Sequence, residues 1–573
     1  MDAHKALISD IFNNATMIEV PFFQRAYVWQ EDLWGRLLED MEFVTETQKP
    51  HFLGSIILKE GEKPGLNDKF TQRKTVVDGQ QRLTTFLIFM KVLCLKQGQT
   101  AIFDFQFRIL GEEIALRHGK NDVDAFNRVM SLEKLEKLEN SIPESRIISA
   151  FNYYVDNMDE SKLNIMAINS NTQFVRIDLD ANEDEQQIFD TINSLGVNLT
   201  TSELLKNYFF SRETISEYEK KWANVFEKDD ESKAYWDTEI EVGRAKRALI
   251  DIFFDAYFQL FIQDKRYSIS NEDKKAYERL DKLAQSYQHF INHYCDGKKD
   301  VVLDQLKDYA TCFRETFRPE YCEMHIPASS GIERLNVVMF GLKTSTLIPY
   351  VLYITKNVYD QEERNRMYGI LEAYIMRRMV VHATTKNYNR LFTMLVRNMI
   401  LSADDLSSRL NNDGDSTTYV PDDNELLDGF QKSKLVNLQS KGIIYLIESY
   451  LRPSASSTTL LGFNKYSLEH LMPKKWRNNW EACKTEDAAR WRDSTLLTLG
   501  NLAIITQSLN ASIRDSNWTT KKAGNGDNKP GLDLCAGGIV TMFDVLEKDT
   551  WTESDINDRA KWLYGKAKDL WIV

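Results

Sequence analysis

The sequence predicts a multidomain α+β protein, with short strands towards both ends and a helical middle. Three observations carry this. Single hydrophobic cores stop growing at roughly 250–300 residues, so a longer chain divides into two or three domains; this one has 573 residues. Hydrophobic residues make up 43% of it and aromatic ones 11%, with no low-complexity tract, so real cores can form. Runs of β-type residues (FLGSIIL, KTVVD, FVRIDL) fall within the first 210 residues, and strand signals return near 466–472 and 500–506. The stretch between is dominated by helical periodicity.

These patterns place an α/β unit at 1–210 and a helical middle region at 211–400. An acidic linker or loop follows at 401–430, then a last domain at 431–573. Residues 401–430 carry eight acids against the single Arg409, with Asn-Asn-Asp-Gly and Val-Pro-Asp-Asp turn chemistry.

A formal charge of −13 argues against indiscriminate coating of nucleic acid, because such binding comes mainly from neutralised phosphates. The window 470–522 departs from that balance, with nine Lys/Arg against five Asp/Glu. The start, MDAHKALISD, lacks the basic and apolar halves of a signal peptide, and no apolar run is long enough to cross a bilayer. A cytoplasmic protein is therefore expected. Six cysteines form no Cys-x-x-Cys pair, which suggests buried thiols.

Along the first domain, VPFFQRAYVWQEDLW (20–34) interleaves Gln24, Arg25, Tyr27 and Trp29 ahead of a helix. Such a run can stack a base and hold a phosphate, or simply bury its aromatics. In FLGSII (52–57), Gly54 within a strand marks either close approach of a ligand or a bulge. In VVDGQQRLTT (76–85), a strand turns through Gly79 into a helix whose apolar stripe is Leu83, Phe86, Leu87, Met90 and Cys94. Asp78 and Gln81 have the spacing of a capping box, which needs no function. Arg82, however, is disfavoured at the positive end of a helix unless an anion sits there, and a helix start after a strand and glycine turn is a ready phosphate site. A nucleotide or nucleic-acid phosphate is the natural occupant.

Two features of the middle region carry weaker signals. His289 and His293 are four apart, a spacing that can bind metal but without a third ligand pattern. Arg377 and Arg378 interrupt an apolar helix, where a salt bridge explains them more simply than DNA.

At the C-terminal end, YSLEHLMPKKW (466–476) sets an acid and a histidine at the end of a strand, and LGNLAIITQSLN (499–510) follows with a second strand and a helix. This is a strand-strand-helix, or ββα, order. Phosphodiester cleavage needs a water deprotonated near neutral pH and a cation on the scissile phosphate. His470 suits the first task. Glu469 and Asn510 offer a carboxylate and an amide oxygen, a hard-oxygen set suited to Mg²⁺. Asn501 would pin the loop that orients His470, and Lys521 and Lys522 would contact backbone phosphates.

The runs PFFQRAYVW, HFLGSIIL, VVDGQQRLTT and IFDTINSLGVNLTTSELLKN (188–207), in order and spacing, resemble the N-terminal domain of the GmrSD family of modification-dependent (type IV) restriction enzymes. The Glu-His-x-x-Pro and Leu-Gly-Asn-Leu elements resemble the HNH (ββα-metal) nuclease domain at the C-terminus of the same family. That resemblance implies a ParB/sulfiredoxin-like first domain in which Asp78, Gly79, Gln80, Gln81 and Arg82 bind and hydrolyse an NTP, with Gln24 and Arg25 near the same pocket. Asn193 and Gly196 fall on its Asn-x-x-Gly turn. It further implies a nucleotide-regulated, Mg²⁺-dependent endonuclease of bacterial anti-phage defence acting on modified phage DNA. Glu469 and Asn510 stand where many HNH enzymes carry Asp and His, which affects metal preference. The alternative is a DNA- or nucleotide-sensing NTPase regulator with an inactive HNH module. Paired nicking of a duplex would favour a homodimer, an inference from that need alone.

Overall fold

β-type runs build a six-stranded mixed sheet in the first part of the chain, with consecutive buried residues in the central strands. Its strands are β1 (Asp2–Leu7), β2 (Thr16–Glu19), β3 (His51–Glu60), β4 (Gln72–Asp78), β5 (Leu116–Arg117) and β6 (Thr172–Leu179), in the order β1-β6-β3-β4-β2-β5. β1/β6 and β3/β4 pair antiparallel, whereas β3/β6, β2/β4 and β2/β5 pair parallel. The computed structural model describes residues 2–21, 26–61, 70–119, 122–140, 145–180, 200–210, 214–243, 245–412, 414–452, 459–526 and 529–573. The chain divides into two units, Met1–Ser216 and Glu217–Val573.

In the first unit, helices α1 (Glu31–Thr47), α2 (Gln80–Lys96) and α3 (Arg146–Asn157) pack with the sheet around one core. The stripe expected of α2 understates its burial. Every residue from Gln80 to Leu95 is buried except Arg82, so α2 is the central helix of the unit and is enclosed on all sides.

The second unit is mostly helical. Helix α4 (Leu249–Gln263) carries Phe253, Phe254 and Tyr257 into an aromatic cluster with Trp222, Trp236 and Phe313. Helix α5 (Gln361–Val380) matches the expected long segment and holds a buried ion pair, Arg334 to Glu372 at 2.7 Å. Arg377 pairs with Asp423 at 2.8 Å, and Arg378 is fully buried, donating to the carbonyls of Tyr419, Thr384 and Thr417. Both arginines therefore serve the fold.

The acidic stretch 401–430 differs from the linker or loop expected of it. It contains α6 (Ala403–Asn411) and most of α7 (Asp423–Lys432), with Leu406, Leu410, Leu426 and Phe430 buried. Its acids concentrate in first turns: Asp404 and Asp405 in α6, Asp423 and Glu425 in α7, and Asp422 at the α7 N-cap in a capping box with Glu425. Negative charge at helix starts favours the helix, so the charge run encodes caps.

Beyond α8 (Asn437–Leu451), strands β7 (Tyr466–His470) and β8 (Leu502–Thr506) pair antiparallel, with His470 opposite Leu502. Helices α9 (Gln507–Ile513), α10 (Trp518–Ala523) and α11 (Glu553–Leu570) follow. Among the described residues no helix is long and apolar enough to cross a membrane.

Candidate functional site

Two sites take shape from these elements, one in each unit. In the first, the β4–α2 turn is made by Gly79, the N-cap of α2, at φ 99. A Cβ there would meet Ile56 Cγ2 at 2.6 Å, so both the dihedral and the close approach of β3 demand glycine. No side chain caps this helix, and the Asp78–Gln81 capping box is not formed. Gln81 instead accepts from Val28 N at 2.9 Å, fixing the backbone that follows Ala26.

Arg82 folds back over β3. Its Nη1 donates to Ser55 O at 3.0 Å and lies 3.6 Å from Asp78 Oδ2, one turn earlier. Gly54 makes room for it, since a Cβ at that position would sit 2.9 Å from Arg82 Nε. The strand register shifts here, between Phe52 and Ser55, so Gly54 is both a bulge and a cradle. With 34% of its side chain exposed, Arg82 is an accessible cation at the start of α2.

Tyr27 belongs to the core: its hydroxyl meets Thr85 Oγ1 at 2.6 Å and accepts from Trp34 Nε1 at 2.8 Å. Burial holds that phenol well above its ordinary pKa. Trp29 is half-buried. Gln24, Arg25, Asn193 and Gly196 lie outside the described residues.

The structure adds two residues to this neighbourhood. Asp122 accepts from Tyr27 N at 2.7 Å, and buried His118 contacts Thr84 Oγ1 at 2.9 Å through Nε2. Burial raises the Asp122 carboxyl above its ordinary pKa. The only sequence signal for either was the polar run RHGKND at 117–122.

In the second unit, His470 ends β7 and is half-buried. Burial first, then Lys474 and Lys521, depress its pKa to about 4, so the imidazole is neutral near physiological pH. The loop after it is held by Asn501, which is fully buried. Asn501 accepts from Met472 N at 2.8 Å through Oδ1 and donates from Nδ2 to the carbonyls of Met472 and Leu496, at 2.8 and 2.9 Å. Trp551 Nε1 also donates to Asn501 Oδ1 at 3.0 Å. Asn510, on α9, donates from Nδ2 to Ser467 Oγ and Leu468 O, at 3.1 and 3.0 Å, which leaves its amide oxygen as the donor atom for a ligand.

Glu469 and Lys521 depart from their expected surroundings. Consecutive strand residues point to opposite faces, so Glu469 and His470 do not converge. Glu469 is buried against Lys521, itself fully buried; the Lys521 ammonium donates to Glu469 Oε1 and, at 2.7 Å, to His470 O. Burial pushes the carboxyl up and the ammonium down, each opposed by its partner. Lys521 is thus inside the domain, where a buried carboxylate demands a cation, and not at the surface expected of a DNA contact. Lys522 is half-buried and donates to Lys548 O at 3.0 Å.

As arranged, these donors do not by themselves fit a magnesium ion. The one carboxylate is neutralised by an ammonium, and among the described residues no group of three His, Cys, Asp or Glu side chains is placed to hold a metal. His289 and His293 stack at 4.5 Å, with His289 Nδ1 2.6 Å from Tyr277 OH.

Comparison with curated protein sequences gave no match. Family models, in contrast, matched both ends of the chain. Residues 8–210 match the N-terminal domain of GmrSD restriction endonucleases, and residues 420–566 match their C-terminal domain. The first match contains the Gly79–Arg82 turn and the second the β7–β8 hairpin, and together they span more than half of the sequence. The chain belongs to the GmrSD restriction endonuclease family.

Proposed function

We propose that this restriction endonuclease cleaves DNA at the β7–β8 hairpin, with His470 as general base, and that an NTP at the β4–α2 turn controls it. The observation that carries the reading is the His470–Asn501 arrangement. A neutral imidazole sits at a strand end, and the next two residues are fixed through Leu471 N to Asn501 O at 2.9 Å and through both backbone groups of Met472. A base must be held to be effective, and the buried amide supplies that constraint. An incoming phosphate diester, being anionic, would raise the proton affinity of His470 towards the range useful near pH 7.

At the other site, the Arg82 guanidinium, at the positive end of α2, would receive the phosphates of an NTP. Differential affinity of the NTP for two states of the protein would then license cleavage. Modified phage DNA is the proposed substrate, in bacterial anti-phage defence.

Magnesium dependence belongs to this reading in a restricted form. Mg²⁺ is commonly held by one or two protein oxygens plus substrate phosphates. Asn510 Oδ1 is the available oxygen, and Glu469 becomes a second only if Lys521 leaves it. We therefore expect no tight Mn²⁺ binding at this site by the DNA-free protein in electron paramagnetic resonance, and loss of cleavage on adding EDTA.

The decisive assay incubates wild type and His470→Ala with modified and unmodified DNA, with and without Mg²⁺ and each NTP. Loss of cleavage in His470→Ala supports the assignment, and equal cleavage by both removes it. The buried Glu469–Lys521 pair favours a second reading, a DNA- or nucleotide-sensing NTPase regulator with an inactive nuclease module. In that case wild type would cleave none of the DNAs yet release phosphate from NTP in an Arg82-dependent way.

A further inference from the structure

A cavity of about 170 Å³ lies in the second unit between the 540–551 segment and α11, with Thr541, Asp544, Lys548, Trp551, Asp555 and Trp562 in its walls. Its polar groups are unevenly satisfied. Lys548 lies 3.5 Å from Asp555, whereas Asp544 makes no ion pair among the described residues. Thr541 is 2% exposed and its backbone is pinned by Glu448 and Arg559, yet its hydroxyl has no hydrogen-bond partner. Leaving such a group unpaired costs stability, so a partner from outside the chain is the economical explanation.

The chemistry of the walls selects the partner. The half-buried Trp562 indole offers a face for a flat ring, beside Trp551, which is buried and stacked on Trp518 at 5.6 Å. A concave, largely apolar site with a few polar groups is the usual form of a small-ligand pocket. Carboxylates on the rim repel phosphate and accept from amines. A carboxylate facing a pyrimidine pairs with the 4-amino group of cytosine and is repelled by the 4-carbonyl of thymine or uracil. The size suits one base and not a whole nucleotide.

The position ties the cavity to the proposed cleavage site. Trp551, one of its walls, donates to Asn501, and Arg559, another, donates to the carbonyls of Gly500 and Leu502 at 2.8 and 2.7 Å. Enzymes that read a single base in DNA commonly extrude it and stack it between aromatic side chains.

We propose that this cavity binds one amino-bearing nucleobase, stacked on Trp562, with Asp544 and the Thr541 hydroxyl as its hydrogen-bond partners. The proposal rests on the nuclease reading only for the source of the base in DNA, so its test is independent of cleavage and of NTP. The full-length His470→Ala protein is titrated with deoxycytidine and with thymidine, which lack phosphates, by isothermal titration calorimetry. We expect deoxycytidine to bind at least tenfold more tightly than thymidine. Trp562→Leu should weaken deoxycytidine binding roughly tenfold, in keeping with stacking on one ring. Thr541→Val should weaken it while leaving the thermal midpoint unchanged or raised, which a purely structural hydroxyl would not do. Arg82→Ala should have no effect.

A twelve-residue oligothymidylate, with and without one central deoxycytidine, separates the sources. Preference for the oligonucleotide carrying deoxycytidine places the base in DNA, and binding of the nucleoside alone assigns a free nucleoside. Absence of deoxycytidine binding, equal binding of thymidine, or binding unaltered by both Trp562→Leu and Thr541→Val overturns the proposal.

Discussion

The two sites handle charge in opposite ways. At the β4–α2 turn, Arg82 is the one unburied side chain between Gln80 and Leu95, and it is set against backbone shaped by Gly54 and Gly79. At the β7–β8 hairpin, Glu469 and Lys521 are both buried and consume one another, while the imidazole beside them is kept neutral. A partly exposed guanidinium at a helix start is disposed to meet an anion from outside. A buried ion pair is disposed to hold a strand and a helix together, because either partner alone would be an uncompensated charge. The difference teaches that a charged motif residue is a ligand-binding candidate in proportion to what the fold has left it to do.

The largest expected effect bears on the hairpin. If His470 is the base, His470→Ala lowers the single-turnover cleavage rate by about 10²–10⁴-fold, the usual share of general acid–base catalysis, with DNA affinity within threefold of wild type. A fall of less than tenfold would remove the functional half of the contrast.

Next comes the ion pair. Lys521→Met strands the Glu469 carboxylate and is expected to cost about 3–5 kcal/mol in urea unfolding, whereas the double variant Glu469→Gln/Lys521→Met recovers much of it. No recovery in the double variant would mean that Lys521 acts through something other than Glu469.

On the other side of the comparison, Gly79→Ala is expected to cost about 1–3 kcal/mol, through the positive φ and the collision with Ile56. Arg82→Ala should cost less than about 1 kcal/mol, as expected of a partly exposed pair, while abolishing NTP-dependent phosphate release. A large stability loss in Arg82→Ala would erase the distinction between the two sites.

The smallest effect is a pH dependence. The unfolded chain protonates His470 near its ordinary value of 6.5, but the folded state resists protonation down to about 4. Because the unfolded state binds the extra proton, the contribution of His470 to stability is whole above pH 6.5 and falls away from there towards pH 4. His470→Gln should flatten that part of the stability profile between pH 4 and 6.5.

Much of this was legible in the chain. The β-type runs became β3, β4 and β6, the 361–382 pattern became α5, and the second constellation became an antiparallel hairpin followed by a helix. Periodicity and turn chemistry are local, and neighbours a few residues apart express them. Other outcomes were not local. Asp78 and Gln81 are spaced for a capping box, yet Gln81 is used by Val28, 53 residues earlier. The acids of 401–430 were legible as charge but not as caps, since the apolar residues between them gain a face only when α5 and α11 are present to cover it.

By itself, then, the sequence determined the order of elements, the glycine turn before α2, and the placement of Glu469 and His470 at a strand end. Which of those charges would stay available was decided by tertiary packing alone. The reason is that desolvation and pairing depend on partners distant in the chain: Lys521 arrives 52 positions after Glu469, and Trp551 reaches Asn501 across 50. No local pattern records whether such a partner will arrive.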